Sequence, residues 1–587
     1  MKFLRNLLAA ILGCLVAFGI LFCMFLVFAA LVGNAGDGVV VKENSVLKIS
    51  ISDPIYDYYG ADENDPFAGL FEEGQGLDDI LHAIQVAKTD NRIQGISIRN
   101  NYLMAGLAQT QELRKALEDF KTSGKRIYAL HDFYSQKDYY LASIADKVFL
   151  NPQGLMDFKG LSSEVLYYKD LQEKSGIKME VIRHGKYKSA VEPYLSDTMS
   201  EENRTQIKEL LTSLWTQMLT DIAASRNISV ENLNVIADTL GARSPQMAVS
   251  SGLLDGLLFQ DQYQKEWKET LGIDDEDDIN VISLKDYVTV AKNKNKNAGK
   301  DKIAVIYAQG EILYGEGNRD VIGQGTMTRS LIRARENDNI KAVVLRVDSP
   351  GGIGLVSDII WREVVLTREV KPVVVSFGNV AASGGYYLAV GADKIFAEPT
   401  SITGSIGVFA TIPNIHEFST KIGINAEQVG TNENSIDYSF FEPMTDSFRQ
   451  ERQDYVQDGY DTFLERVAEG RKMSVEAVNE IAQGRVWSGV DALEIGLIDE
   501  LGNLDDAIAA AADMAGLDRP SIRKYPRYKS DFERFMDYFG GTKLRLGEQI
   551  LKEELGIETY QTLKELRRMT KQQKGLQARM PYHLNIQ

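Results

Sequence analysis

Ser383 is the first residue of this sequence whose surroundings could support chemistry. It lies in Ala381-Ala382-Ser383-Gly384-Gly385, shortly after an apolar β-branched run at residues 373–375. The run predicts a buried strand, and the glycines before Tyr386 predict a tight turn into a helix. The free N–H groups of a helix N-terminus would then lie beside the serine hydroxyl. Such a turn can hold a nucleophile next to oxyanion donors, although a glycine-rich turn with a capping serine fits the stretch equally well.

A second pair of glycines favours the catalytic interpretation. The run at residues 342–348 predicts another buried strand, and Ser349-Pro350-Gly351-Gly352 ends it. Adjacent glycines at a strand end let a backbone N–H approach a ligand closely. In a parallel sheet the two loops could lie side by side, so that Gly384 and either Gly351 or Gly352 would donate to an oxyanion formed at Ser383. A general base for the serine is still needed.

The elements that must position these loops occur twice. Residues 139–149 (YYLASIADKVF) match residues 386–396 (YYLAVGADKIF) at a shift of 247, and further matches lie upstream and downstream. Within each half, apolar β-branched runs alternate with helical patterns, which predicts parallel βαβ units. The sequence therefore predicts an α/β fold made of a tandem duplication, each copy a domain of about 250 residues.

The repeat also predicts the domain boundaries. We expect a short N-terminus at residues 1–6, an apolar span at 7–32 and a first α/β copy at 45–291. A polar linker rich in Lys and Asn follows at 292–300, and the second copy occupies 301–515. The charged tail, residues 516–587, has a helical pattern without a functional motif.

Comparison of the two copies indicates where the base could come from. A shift of 247 places Gln136 at the position of Ser383, so the first copy lacks the nucleophile. Residues 183–190 of the first copy contain Lys186 and Lys188, whereas the matching loop of the second copy has no lysine. Ser–Lys hydrolases use a neutral lysine as the general base. Because an ordinary lysine has a pKa near 10.4, Lys188 would have to be buried to serve, and by spacing alone it is more typical of a solvated surface group.

A Ser–His–Asp triad is the competing arrangement. None of the five histidines has a context typical of a catalytic base: His82, His131, His184, His416 and His583. His184 is of interest only because it lies four residues before Lys188. No HExxH or CxxC motif and no carboxylate cluster predicts a metal site, and we expect no cofactor.

Composition and hydropathy limit the possible partners of the protein and its possible location. The net charge of −18 argues against nucleic acid as a partner. Residues 7–32 are apolar and uncharged, long enough to span a bilayer. Lys2 and Arg5 precede this run, so the positive-inside rule predicts a cytoplasmic N-terminus and an exported remainder. A cleaved signal peptide remains the alternative. Both cysteines, Cys14 and Cys23, lie in the run, so the exported part has no thiol.

Taken together, these motifs resemble bacterial signal peptide peptidase A in its long, duplicated form, a Ser–Lys protease family related in fold to the Clp protease and crotonases. The resemblance covers roughly residues 40–515. It rests on four stretches: Ser349-Pro350-Gly351-Gly352, Ala381-Ala382-Ser383-Gly384-Gly385-Tyr386, Thr403-Gly404-Ser405-Ile406-Gly407 and Gly185-Lys186-Tyr187-Lys188-Ser189-Ala190-Val191-Glu192-Pro193. The chain departs from the family at Ile353-Gly354, where a small polar residue and an apolar one are usual.

The resemblance implies a role for each matched residue. Ser383 takes the place of the nucleophile, Lys188 that of the general base and Ser405 that of the serine that positions the lysine. Gly352 and Gly384 match the oxyanion donors, with Gly351 in support. On this resemblance, Lys186 has no catalytic role.

The resemblance also implies an inner-membrane protein with a periplasmic catalytic part and a homo-oligomeric, tetrameric assembly. Its substrates would be apolar signal peptides already released from exported preproteins. Two alternatives stay open: a crotonase-like acyl-CoA enzyme, which would share the oxyanion hole, and a non-catalytic membrane scaffold of the same fold.

Overall fold

The computed structural model describes residues 2–34, 39–60, 74–100, 102–292, 299–432, 435–436, 438–528 and 577–579. Most of the predicted linker, residues 293–298, lies outside the described residues, as does most of the tail, 529–576 and 580–587. The elements below therefore belong to the described ranges.

The first half of the chain begins with a long helix and continues as alternating strands and helices. Its strands are β1 Ser45–Ile49, β2 Ile93–Ile98, β3 Arg126–Tyr134, β4 Lys147–Met156, β5 Lys178–Arg183, β6 Gly256–Leu257 and β7 Asn280–Ser283. Its helices are α1 Lys2–Asn34, α2 Leu77–Thr89, α3 Leu107–Lys121, α4 Gln136–Ala142, α5 Lys169–Ser175, α6 Glu192–Leu195, α7 Glu201–Arg226, α8 Val230–Asp238, α9 Pro245–Ser250, α10 Gln260–Leu271 and α11 Leu284–Lys292.

The second half repeats this alternation and adds further short strands. Its strands are β8 Lys302–Gln309, β9 Glu311–Leu313, β10 Val321–Gly323, β11 Ile340–Ser349, β12 Gly351–Ile353, β13 Val373–Ala382, β14 Lys394–Ala397, β15 Ile402–Gly404, β16 Phe409–Asn414, β17 Val486–Ser488, β18 Glu500–Leu501, β19 Ser521–Tyr525 and β20 Gln577–Arg579. Its helices are α12 Gln324–Glu336, α13 Gly354–Arg368, α14 Gly384–Tyr387, α15 His416–Lys421, α16 Asp446–Arg471, α17 Val475–Ile481, α18 Gly489–Glu494 and α19 Leu504–Met514.

Each copy is organised around its own parallel sheet. The first sheet has the strand order β6-β4-β3-β2-β1-β7, and the second has β17-β15-β13-β11-β8-β19. The β-branched runs 343–347 and 373–375 are fully buried because helices cover both faces of the second sheet. The predicted α/β fold with two duplicated parallel-sheet domains is confirmed.

A third sheet joins the two copies. Its strand order is β10-β9-β12-β20-β16-β5, in which only β5 comes from the first copy. Strand β5 pairs antiparallel with β16 over six residues, from Lys178 opposite Asn414 to Arg183 opposite Phe409. Because Lys188 follows five residues after β5, this pairing carries the lysine of the first copy into the second.

The tail differs from the predicted helix wherever the structure describes it. Residues 521–525 form β19, which pairs parallel with β8 at the edge of the second sheet. Residues 577–579 form β20, which pairs antiparallel with β12. The helical prediction followed the charged pattern of the tail, whereas unpaired N–H and C=O groups of neighbouring strands pair with these segments, at the sheet edge for β19 and between β12 and β16 for β20.

Helix α1 is long and apolar enough to cross a bilayer. It has 33 residues, and the window Arg5–Phe22 has a mean hydropathy of 2.0. At 1.5 Å per residue its length is about 50 Å. A signal sequence near an N-terminus meets the same criteria of length and hydropathy.

Candidate active site

Ser383 lies at the turn between β13 and α14. The last residues of β13 pair with β15, and the Ser383 N–H donates to Gly404 O at 2.8 Å. Its backbone has φ 56° and ψ −118°, a conformation that few non-glycine residues adopt. A strained backbone conformation of this kind persists only where surrounding contacts offset its cost. Such residues are common at functional sites. The turn therefore presents one hydroxyl at the end of a rigid strand.

Lys188 meets Ser383 in the folded chain. Its Nζ lies 2.9 Å from Ser383 Oγ, although 195 residues separate them in the sequence. The same nitrogen lies 3.0 Å from both the carbonyl oxygen and the Oγ of Ser405. A neutral amine has two N–H donors and one lone pair. Donation to the two Ser405 oxygens would leave that lone pair free to accept the Ser383 hydroxyl proton.

The environment of Lys188 favours the neutral amine. The side chain is completely buried, and burial is the cause that lowers the pKa of Lys188 well below its ordinary value of 10.5. Removing a charged amine from water disfavours the ammonium form, and no carboxylate forms an ion pair with Lys188 in the described part of the chain. The Phe409 ring, whose centre is 5.9 Å from Nζ, adds an apolar wall.

Contacts with the second copy and with helix α7 of the first copy hold the lysine loop in place. Tyr187 N–H donates to Gln483 O at 2.9 Å. From α7, Gln206 Nε2 donates to Tyr187 O at 3.0 Å and to Ser189 Oγ at 2.8 Å. The loop is therefore tied on both sides of Lys188.

Ser405 is held as firmly as the lysine it contacts. It has a positive φ of 50° and is completely buried. Its N–H donates to Arg485 O at 2.6 Å. Its carbonyl and hydroxyl oxygens can then face the same amine, which fits the positioning task that the sequence resemblance implies.

The three predicted oxyanion glycines differ in their positions and contacts. Gly351 N–H donates to Ser349 Oγ at 3.1 Å, which engages that donor within the loop. Gly352 lies in β12, and a Cβ there would come within 2.0 Å of Ile312 O, so only glycine fits. Gly384 is the first residue of α14 and directly follows Ser383.

The other candidate bases lie elsewhere. Lys186 is exposed, with its amine 5.1 Å from the centre of the Tyr187 ring. The His184 ring stacks on Tyr460 at 4.1 Å. His131 stacks on Tyr134 inside the first copy, and His583 lies outside the described residues. The structure thus brings Lys188, and no described histidine, to Ser383.

The first copy has no serine free for catalysis at the equivalent turn. Gln136 accepts the N–H groups of Lys159 and Gly160 at 2.8 and 2.7 Å. Ser135, one residue earlier, caps α4 by accepting Asp138 N–H at 3.1 Å. Both polar side chains at this turn hold the local structure together.

Gly484 is a site residue that the sequence did not reveal. It has φ 84°, and a Cβ there would come within 2.6–2.7 Å of Lys188 Cβ, Cα and N. A single glycine after Gln483 looks like any helix end, since its contact with the lysine exists only in the folded chain. Because Gly484 has no side chain, the main chain of Lys188 can pack directly against it.

We expect Gly484→Ala to displace Lys188 and to lower kcat/KM about 10- to 100-fold, because small misplacements of a catalytic group slow a reaction by such factors. Gly496→Ala is the matched control. Gly496 has a similar φ of 78°, but a Cβ there meets nothing within 4 Å. Peptidase assays of both variants separate backbone strain, which they share, from displacement of the lysine. Equal activities would contradict the expectation.

Comparison with known proteins agrees with this geometry. The profile of peptidase family S49 matches residues 119–274 and 366–518, one region in each copy. Protease 4 of Haemophilus influenzae is 36% identical over 446 residues, covering 74% of this chain and 72% of the relative. Protease 4 of Salmonella typhi is 37% identical, covering 79% and 76%. The chloroplastic serine protease SPPA of Arabidopsis thaliana is 32% identical, covering 81% and 70%.

Among solved structures, a ClpP1 variant from Listeria monocytogenes has a TM-score of 0.24 and 14% identity. It covers 35% of this chain and 94% of its own. The family assignment rests on the sequence matches, which span both copies and most of the chain. This chain belongs to peptidase family S49 and is a serine-type peptidase with two copies of the family domain.

Proposed function

We propose that this peptidase is a membrane-anchored endopeptidase that uses a Ser383–Lys188 dyad to degrade signal peptides released from exported preproteins. The observation that supports the dyad most directly is the buried Lys188 amine, 2.9 Å from the Ser383 hydroxyl and without an ion-pair partner among the described residues. An exposed lysine, or one paired with a carboxylate, would stay protonated and could not accept a proton.

The mechanism follows from the positions of the groups. Neutral Lys188 accepts the proton of Ser383 Oγ as that oxygen attacks the peptide carbonyl. The N–H groups of Gly352 and Gly384 donate to the oxyanion of the tetrahedral intermediate. The Lys188 ammonium then protonates the leaving amine, which releases the C-terminal product and leaves an acyl ester on Ser383. Water, deprotonated by the same lysine, hydrolyses that ester and regenerates the serine hydroxyl.

The third sheet supports an extended peptide as the substrate. β20 of the chain lies between β12 and β16, with Ala578 opposite Gly352 and Gln577 opposite Phe409. A three-residue segment thus already adds a strand beside a proposed oxyanion donor. Main-chain pairing of this kind accepts many sequences. Because the Phe409 ring lies beside the site and the chain has an apolar N-terminal helix, we expect extended apolar segments as substrates.

The proposed location rests on α1. Lys2 and Arg5 precede its apolar stretch, which supports an N-terminus in the cytoplasm and a periplasmic catalytic part at the inner membrane. A homo-oligomer, with a tetramer as the expected form, completes the proposal. Mass measurement of the detergent-solubilised protein distinguishes a tetramer from a monomer.

Covalent labelling tests the proposed nucleophile. A fluorophosphonate probe should modify the detergent-solubilised protein at Ser383 alone, with the modified peptide identified by mass spectrometry. The same probe should leave Ser383→Ala unmodified. An acyl-CoA enzyme or a scaffold has no activated serine, so absence of labelling in a folded sample would count against the dyad.

A further inference from the structure

A bulge in β13 lies directly before Ser383. Strands β11 and β13 pair in regular register as far as Val347 and Phe377, and the next pair is Ser349 with Ala381. Residues 378–380 of β13 are therefore opposite the single residue Asp348. Such a bulge redirects a strand and leaves backbone groups without ladder partners. The direction in which the chain enters the Ser383 turn depends on what holds this bulge.

The Asp348 carboxylate holds it. One oxygen, Oδ1, accepts the Val380 N–H at 2.9 Å. The other, Oδ2, accepts Asn379 Nδ2 at 3.2 Å. The main chain of Asp348 continues directly into the glycine loop that contains Gly352. One side chain thus connects the loop of a proposed oxyanion donor with the strand of the proposed nucleophile.

Asn379 extends this connection to the first copy. Its Oδ1 accepts the N–H of Gln109, the third residue of α3, at 3.1 Å. The residue before α3 is Gly106, which has no side chain to cap the helix, and a Cβ there would come within 1.9 Å of Asn379 Oδ1. The second copy therefore supplies the N-cap of a first-copy helix, an interaction that stabilises helices in general.

Buried ion pairs fix α3 in this position. Arg346 of β11 is completely buried and donates to Glu112 of α3 at 2.5 Å and to Asp57 at 2.6 Å. It also donates to Ser376 Oγ and Phe377 O, at 2.8 and 2.9 Å, on β13. The first copy is thus tied to both strands that lead into the site.

We propose that Asp348 and Asn379 are positioning residues that set the placement of Ser383 relative to the Gly352 loop, and that the docked helix α3 keeps them in register. This inference rests on the proposed Ser383–Lys188 mechanism. The first copy would then have two roles. It supplies Lys188, and it also supports the bulge beside Ser383.

The directions of the hydrogen bonds provide a stringent test. Asp348→Asn replaces one acceptor with a donor, which then faces either Val380 N–H or Asn379 Nδ2. Asn379→Asp places a second carboxylate against Asp348. The double variant D348N/N379D exchanges the amide and the carboxylate. Its amide can accept Val380 N–H and donate to the new carboxylate, whose other oxygen can accept Gln109 N–H, at unchanged total charge.

The experiment measures kcat, KM and thermal unfolding of the full-length protein in detergent with an apolar peptide substrate. Each single variant should lower kcat about 10- to 100-fold, as expected for a displaced reacting group, with KM within about threefold of wild type. The double variant should recover kcat to within about fivefold. Asp393→Asn is the control, because Asp393 accepts Val373 N–H at the opposite end of β13, and its kcat should stay within about twofold.

Wild-type kcat in both single variants, or losses that multiply in the double variant, would overturn the proposal. If the single variants fold too poorly to assay, the double variant alone tests the proposal. A double variant that folds but has less than a tenth of wild-type kcat would contradict it. Failure of the dyad itself gives a different signature, namely activity that persists in Ser383→Ala.

Discussion

Ser383→Ala lowers kcat/KM for an apolar signal-like peptide at least about 10³-fold, to the level that binding and oxyanion contacts alone provide. The reason is chemical, since alanine has no oxygen to attack the carbonyl. The substitution removes one hydroxyl from a completely buried residue and adds no atom that needs space, so we expect the fold to be kept. Peptide hydrolysis and thermal unfolding, measured on the same sample, check both parts of this expectation.

Lys186→Ala is the control for this loss. Lys186 lies on the same loop as Lys188 but is exposed, so its removal should leave kcat/KM within about twofold, as for most surface substitutions away from a site. Substantial hydrolysis by Ser383→Ala, with the protein purified away from host peptidases, would mean that the nucleophile lies elsewhere.

Lys188→Met should also abolish activity while leaving the protein at least as stable as wild type. Methionine has a similar length and fills the same buried space without an amine. Losing the general base lowers kcat at least about 10²- to 10⁴-fold. The effect on stability has the opposite sign, because burial disfavours the charged amine and keeping the lysine neutral costs folding free energy that methionine does not cost.

The pH dependence of stability tests the same lysine. The unfolded chain binds a proton at Lys188 below pH 10.5, whereas the folded chain does so only below its lowered pKa. Wild-type stability should therefore rise with pH, relative to Lys188→Met, from that lowered pKa up to 10.5. Activity should rise through the lowered pKa and then level off. Parallel stability curves for the two proteins, or a wild-type melting temperature well above that of Lys188→Met at pH 7, would contradict a neutral buried lysine.

Much of this site can be predicted from sequence because the duplication provides an internal comparison. The local pattern predicts Ser383 and both glycine loops. Comparison of the copies points to the lysines of residues 183–190, and the family resemblance singles out Lys188 among them. The parallel sheets follow from the alternation of β-branched runs and helices. These are local signals, and the folded structure preserves them.

The contacts missed by sequence reasoning are those that form only in the folded chain. Gly484 contacts Lys188 across almost 300 positions, and Asn379 caps α3 from 270 residues away. Strand β20 was predicted as helix because its charged surroundings in the sequence outweighed a three-residue segment that pairs between β12 and β16. A local sequence pattern predicts the helix or strand that contains a residue. Contacts between residues far apart in the sequence depend on how the helices and strands pack together.

The division of the dyad between the copies has a consequence for the newborn chain. A ribosome releases the polypeptide N-terminus first, so Lys188 emerges well before Ser383, and neither alone can cleave a peptide bond. Strand β16, which pairs with β5 and brings the lysine to the serine, emerges later than both. Under the proposed mechanism, the dyad therefore cannot assemble before β16 has left the ribosome. A half-made chain would have no complete catalytic pair with which to digest itself.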